Sequence, residues 1–301
     1  MPPILTTSPD PNSKTPKFKC PPGTVDTHIH LFGPADQYQW DPNTYYVARD
    51  ATPEMNIALQ DRLGFSNSVI VSGGAYGRNY THLSDTLTRF GDRFRGIALI
   101  PDDLSDAEFM RLGKLGVRGM RVFSVSRGGV LPTIAERISA RAHEHGWHIQ
   151  FYPHGAEITE FADRLLALPN TIVLDHFASV KAEQGLDQPG FKTLLRMLDT
   201  GRVWIKLSGP MRCQQGDWPY PAVTPMARAG RAPSRSPRVR HRLAARQHGW
   251  PQCAERRRPG RPHPRMDRGR RDAEADPRRQ SAQAVRIFRI APICRCRRVT
   301  G

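Results

Sequence analysis

Several things are scarce in this sequence, and each shortage removes a class of protein. It has no run of about 18 apolar residues, so no stretch reads as a membrane-spanning helix. Residues 1–19 are rich in Pro, Ser, Thr and Lys and lack the apolar middle of a secretory signal; they read as a mobile N-terminal arm. The five cysteines, Cys20, Cys213, Cys253, Cys294 and Cys296, are odd in number and form no paired framework. That excludes a disulfide scaffold and suits a reducing cytoplasm. Residues 229–301 contain no Lys, no Tyr and a single Leu, Leu243.

That last shortage explains the charge. The net charge of +17 resembles that of a nucleic-acid-binding protein. Its distribution shows otherwise. Residues 229–301 carry 21 Arg and 5 acidic residues, a net +16, whereas residues 1–228 hold 24 basic and 23 acidic residues, a net +1. The first three quarters have the balance of an ordinary globular protein. The tail, with 21 Arg and 8 Pro, cannot bury enough apolar surface to offset its ordering entropy.

The stretch Thr24–Phe32, Thr-Val-Asp-Thr-His-Ile-His-Leu-Phe, organises what is present. It follows Pro21-Pro22-Gly23 and reads as a strand, so Asp26, His28 and His30 share one face. Two imidazoles so spaced can meet one metal ion or polarise one substrate group. A hydrogen-bonded core histidine is the competing reading for either ring alone.

Strand-like and helix-like runs then alternate to Gly209. Strands are expected at 68–72, 96–100, 116–123, 148–152, 171–177 and 203–208, and helices at 53–63, 80–90, 105–115, 132–145, 156–168 and 191–198. Nearly continuous apolar strands alternating with helices predict parallel βαβ units, best closed as a (β/α)₈ barrel. Chemistry in such a barrel lies at the C-terminal strand ends. There the sequence places His30, Arg121, Arg127, Tyr152, His154, His176 and Arg212. His28, His30 and His176 are candidates for acid, base or metal chemistry. Arg121 and Arg127, with Arg212 opposite, could clamp an anion through paired hydrogen bonds, against the alternative of solvated ion pairs. Tyr46 and Tyr152 could donate to a carbonyl or carboxylate, or only pack. His143, His145 and His148 flank a helix end, where capping is the simpler role. Lys206 and Ser208 share a strand face without an assigned role.

Val25-Asp26-Thr27-His28-Ile29-His30-Leu31-Phe32-Gly33-Pro34 resembles the opening of the amidohydrolase superfamily, in the branch called amidohydrolase family 2. Tyr46–Asp50, Gly116–Arg121, Leu174-Asp175-His176 and Ser208-Gly209 extend the likeness over roughly residues 19–228. Within that branch it is similar to the lactone hydrolases that open 2-pyrone-4,6-dicarboxylate and sulfonated muconolactones. The resemblance implies a distorted (β/α)₈ barrel over residues 20–228 and water attack on a small anionic lactone in bacterial-type aromatic-compound degradation. It implies catalytic roles for His28, His30 and His176, and substrate binding by Tyr46, Arg121, Arg127, Tyr152 and Arg212. One divalent metal, zinc by preference, held by His28, His30 and His176, and a metal-free mechanism are both compatible with it. Gly74, Tyr76 and His154 depart from the pyrone-lactonase pattern. A decarboxylase or another hydrolase on the same scaffold is the alternative. The opposing class is a barrel whose basic tail binds nucleic acid, weakened by the tail's lack of Lys and near lack of aromatic residues. No membrane partner is expected, and the oligomeric state is open.

The family pattern also expects an eighth strand ending in Gly-Thr-Asp-Trp-Pro-His, whose Asp activates water. The sequence has none. Yet Arg240–Arg246 can be encoded so that a frame displaced by one nucleotide spells that run, and Arg279–Phe288 can spell Asp-Asn-Pro-Pro-Lys-Leu-Tyr-Gly-Phe under the same displacement. A frameshift near Arg228–Arg231 is therefore expected, with strand eight, the C-terminal helices and the catalytic Asp lost to residues 229–301.

Overall fold

The computed structural model describes residues 3–18, 20–123, 132–155, 157–216, 219–230 and 243–245. Arg127 and most of residues 229–301, on which sequence expectations rest, lie outside the described residues.

One parallel sheet dominates. Its strands are β2 (Val25–Ile29), β4 (Asn67–Val71), β5 (Phe94–Ala98), β6 (Val117–Phe123), β7 (His148–Tyr152), β8 (Ile172–Leu174), β9 (Val203–Leu207) and β10 (Leu243–Ala245), hydrogen-bonded in that order. A second sheet pairs β1 (Ile4–Leu5) with β3 (Tyr46–Val47), also parallel. Helices α1 (Pro53–Leu63), α2 (Thr81–Phe90), α3 (Asp106–Leu115), α4 (Pro132–Glu144), α5 (Glu157–Ala167) and α6 (Pro189–Asp199) connect successive strands of the large sheet, and α7 (Val223–Gly230) follows β9.

Local signals explain these boundaries. Thr52 caps α1 by accepting from the Met55 N–H at 3.4 Å, with Pro53 at the first helical position. Ser105 caps α3 by accepting from the Glu108 N–H at 3.2 Å. The strands are buried on both faces, the helices covering one and the curl of the sheet enclosing the other. Phe94, Met120, Ile149, Phe151 and Ile172 are fully buried accordingly.

Two expectations need adjustment. The strand foreseen over 171–177 stops at Leu174, because His176, Phe177, Ala178 and Ser179 all take left-handed backbone angles, φ 49–56°. The loss of an eighth strand is met only in part. Leu243–Ala245 runs parallel to Ile205–Leu207, in the eighth position, but among the described residues it does not bond to β2, and it brings no carboxylate. The sheet is curled, a distorted barrel. The N-terminal arm is tied down at several points: Ile4 and Leu5 pair with Tyr46 and Val47, and Arg62 donates to the carbonyls of Ser13 and Pro11.

Candidate active site

The interior of the curl is polar at its centre. Asp175, directly after β8 and fully buried, gathers polar partners from four strands. Gln150 of β7 donates to Asp175 Oδ1 and Oδ2 at 3.0 and 3.1 Å. Arg121 of β6 donates to Oδ2 at 3.2 Å and to the Ser72 carbonyl, past β4, at 2.8 Å. Lys206 of β9 lies 3.4 Å from Oδ1, and its ammonium donates to Gln150 Oε1 at 2.9 Å and to the Thr27 carbonyl of β2 at 3.0 Å. His28 Nδ1 lies 3.3 Å from both Lys206 Nζ and Asp175 Oδ1. Burial alone would raise the Asp175 carboxyl, but Lys206, His28 and Arg121 together hold it well below the usual carboxylate range. Burial and then Lys206 push His28 well below an ordinary imidazole, so it is neutral near pH 7.

The three expected histidines come together. The His28 ring is 5.0 Å from that of His30 and 4.8 Å from that of His176, centroid to centroid. His30 Nδ1 lies 2.7 Å from the Val71 carbonyl, which only accepts, so that nitrogen carries a proton. His176 Nδ1 lies 2.9 Å from Ser208 Oγ. Its ring is aimed by the left-handed turn and fits against Gly209, where a Cβ would come within 2.8 Å of the imidazole.

The expected anion-binding residues divide. Arg121 is buried beside Tyr152, with its guanidinium carbon 6.0 Å from the ring centroid, and Tyr152 packs edge-on against His176 at 5.2 Å. Tyr46 projects over Gly73, where a Cβ would lie 2.7 Å from the phenol oxygen and 3.8 Å from His30 Nδ1. Burial raises the Tyr46 phenol, partly offset by Arg121 and by the Gly74 and Ala75 N–H groups. Phe32, Trp40 and Tyr76 continue this aromatic wall, with Trp40 stacked on Tyr76 at 4.8 Å. Arg212, in contrast, lies on an exposed turn, 210–212. Arg118 binds the carbonyls of Gly113 and Val117 at the opposite strand end.

A family model described as amidohydrolase matches residues 25–232. The chain belongs to the amidohydrolase family. It is 34% identical over 204 residues to the 2-pyrone-4,6-dicarboxylate hydrolase of Comamonas testosteroni, covering 67% of each chain. It is 31% identical over 215 residues to the 4-sulfomuconolactone hydrolase of Hydrogenophaga intermedia, covering 70% of this chain and 71% of that one. A solved Pseudomonas putida structure, described as a 2-pyrone-4,6-dicarboxylic acid hydrolase, superimposes with TM-score 0.62 at 28% identity, over 77% of this chain and 84% of that chain.

Amidohydrolases often hold a divalent metal, and His28, Asp175 and His176 each bring a donor atom within 4.8 Å of the others. His30, expected as a third imidazole ligand, is not in this group. The group fits a dication poorly. Asp175 already serves Arg121, Gln150 and Lys206, so its oxygens are occupied. Arg121 and Lys206 already set two fixed cations on this carboxylate, and a dication beside them would meet their repulsion. The eighth position, Leu243–Ala245, offers no carboxylate to correct the balance.

Sequence reasoning missed Asp175, Gln150 and Lys206 as a unit. The signal was present in the alternation of Lys206 with Ser208 and in the polar Gln150 at the centre of an apolar strand.

Proposed function

We propose that this protein hydrolyses the ring ester of a small, multiply anionic lactone, of the 2-pyrone-4,6-dicarboxylate or carboxylated or sulfonated muconolactone type, in aromatic-compound degradation. The observation that carries this is a buried Arg121 beside three clustered imidazoles, in a family whose relatives here are named as lactone hydrolases.

Arg121 would take a carboxylate of the substrate, supported by the phenols of Tyr46 and Tyr152, with Arg127 and Arg212 as further anion-binding groups. The buried His28 Nε2 has no hydrogen-bond partner among the described residues and would donate to the ester carbonyl oxygen. His30, protonated at Nδ1, offers its Nε2 lone pair to the attacking water. As water adds to the carbonyl carbon, its proton passes to His30 and the carbonyl electron pair becomes an oxyanion. Collapse then breaks the ring C–O bond, and the leaving oxygen regains a proton from His30 or His176. No step is routed through a metal, because the residues do not fit one.

In this reading residues 20–228 are the catalytic barrel, residues 1–19 its N-terminal arm, residues 229–301 a frameshifted tail, and the location the cytoplasm. The chain as it stands lacks the strand-eight Asp, so hydrolysis should be slow, and faster in the chain with its frame restored. The test is a hydrolysis screen of both chains over pyrone and muconolactone acids, read by ultraviolet absorbance, with zinc or with a chelator. Ring opening by the restored chain, insensitive to chelator, is the expected result. Failure to open any of these rings, or loss of carbon dioxide without ring opening, overturns the reading.

A further inference from the structure

Lys206 is 2% exposed, yet it is one of the longest polar side chains in the protein. A lysine so buried is kept charged only by close partners. Its contacts span the barrel: Thr27 on the first strand of the sheet, Gln150 on β7, and Asp175 after β8. It also reaches His28 Nδ1 at 3.3 Å. The choice of proton on His28 depends on that contact. A histidine nitrogen beside a carboxylate is ordinarily protonated and donates to it. Here Asp175 Oδ1 and Lys206 Nζ both stand 3.3 Å from the same nitrogen, one calling for a proton there and the other for a lone pair.

The donor count decides between them. An ammonium has three N–H bonds. The Thr27 carbonyl takes one at 3.0 Å and Gln150 Oε1 a second at 2.9 Å, and Lys206 meets His28 Nδ1 with hydrogen-bond geometry for a third. Asp175 has donors without the imidazole: the Gln150 amide nitrogen donates across its two carboxylate oxygens, and Arg121 holds Oδ2. The imidazole is therefore the better acceptor for Lys206 than it is a needed donor for Asp175.

We propose that Lys206 is a positioning residue: by donating to Nδ1 of His28 it fixes that ring as the Nε2–H tautomer, with its single proton directed at a ligand oxygen. The buried, unpartnered Nε2 fits this role, since a buried donor without an acceptor is costly and is kept where a ligand supplies the acceptor. The same assignment accounts for the poor fit to a metal, because a protonated Nε2 has no lone pair to give. That the ligand oxygen is an ester carbonyl rests on the function proposed above; the tautomer does not.

The test is the nitrogen-15 spectrum of the histidine rings in the full-length chain, with no substrate added. The His28 signals are identified by their loss in His28→Gln. Long-range proton–nitrogen correlations show which ring nitrogen carries the proton. The expected result is a proton on Nε2 in the wild type and a switch to Nδ1, facing Asp175, in Lys206→Met. That variant leaves Asp175 paired with Arg121, so its carboxylate keeps a cationic partner. A wild-type His28 protonated at Nδ1 overturns the proposal, and this spectrum decides it even if Lys206→Met does not fold. A folded Lys206→Met that keeps the Nε2 proton overturns it as well. Because the spectrum needs no turnover, a failure of lactone hydrolysis would leave the tautomer assignment standing, and the reverse.

Discussion

The Arg121 guanidinium and the Asp175 carboxylate meet at 3.2 Å with 6% and 0% of their side chains exposed. Arg121 is thereby fixed before any substrate arrives, and Asp175 is the anchor on which two buried cations depend. Removing it strands both. Asp175→Ala is expected to cost about 3–5 kcal/mol, the usual consequence of breaking a buried ion pair by deleting one partner. Urea unfolding measures this directly; a loss below about 1 kcal/mol would show that the cluster is not held by this carboxylate.

Gly209 sits at φ 62° with no room for a Cβ, which would lie 2.8 Å from the His176 ring. Gly209→Ala should therefore act twice. The left-handed backbone costs about 1–2 kcal/mol with an L side chain, and the methyl displaces His176 from Ser208. Turnover should fall at least tenfold while far-ultraviolet circular dichroism stays unchanged. Unaltered turnover would mean that His176 is not held in its working position here.

Ser179 is the opposite case. It is left-handed at φ 56°, and its buried hydroxyl has no hydrogen-bond partner among the described residues. Ser179→Gly relieves both penalties and should stabilise the protein by about 1 kcal/mol, seen as a higher urea midpoint. A lower midpoint would show that this hydroxyl is used.

Acid should weaken the fold in two stages. Burial first, then Lys206, lowers His28, and burial lowers His82. His148, part of which reaches the surface, is pushed down to about 4 by burial of its ring and by Lys206. Below pH 6.5 the unfolded histidines bind protons that the folded ones refuse, so stability falls as pH falls, and for His148 this window closes near 4. Asp175 acts in the same direction lower down: its contribution is complete above 3.8 and is lost as pH drops through its depressed folded value. Each fully buried histidine contributes a slope of up to about 1.4 kcal/mol per pH unit. Unfolding midpoints from about pH 7.5 to about pH 5 should fall steadily; a flat profile would contradict neutral buried histidines.

The reading-frame expectation has its own check. The codons of Arg242 and Leu243 are those that spell Asp in the displaced frame, and Leu243–Ala245 is the segment that lies beside β9 as an eighth strand. Nucleotide sequence across codons 225–290 should reveal a single-base displacement, and the intact mass should depart from 33.9 kDa. A mass of 33.9 kDa with tail peptides detected would show that the Arg-rich tail is translated.

Much of this was legible before the fold was seen. Alternation put His28 and His30 on one face, and apolar runs gave the strand order to within a residue or two at most ends. The strand at 171–177 was overextended because Phe177 and Ala178 are apolar in composition but left-handed in backbone, which periodicity does not report. Lys206 stayed unassigned because a strand lysine is ordinarily solvated; only the curl of the sheet brings it 3.0 Å from the Thr27 carbonyl, 179 residues earlier. Arg212 entered the anion-binding set by its place after a strand, and the fold puts it on an exposed turn.

The pairing of Ile4–Leu5 with Tyr46–Val47 has a practical side. It stitches the front of the polypeptide to the segment whose phenol overhangs the cavity. An affinity tag or fusion partner added upstream would pull on that stitch, and could alter substrate affinity while leaving every catalytic side chain intact.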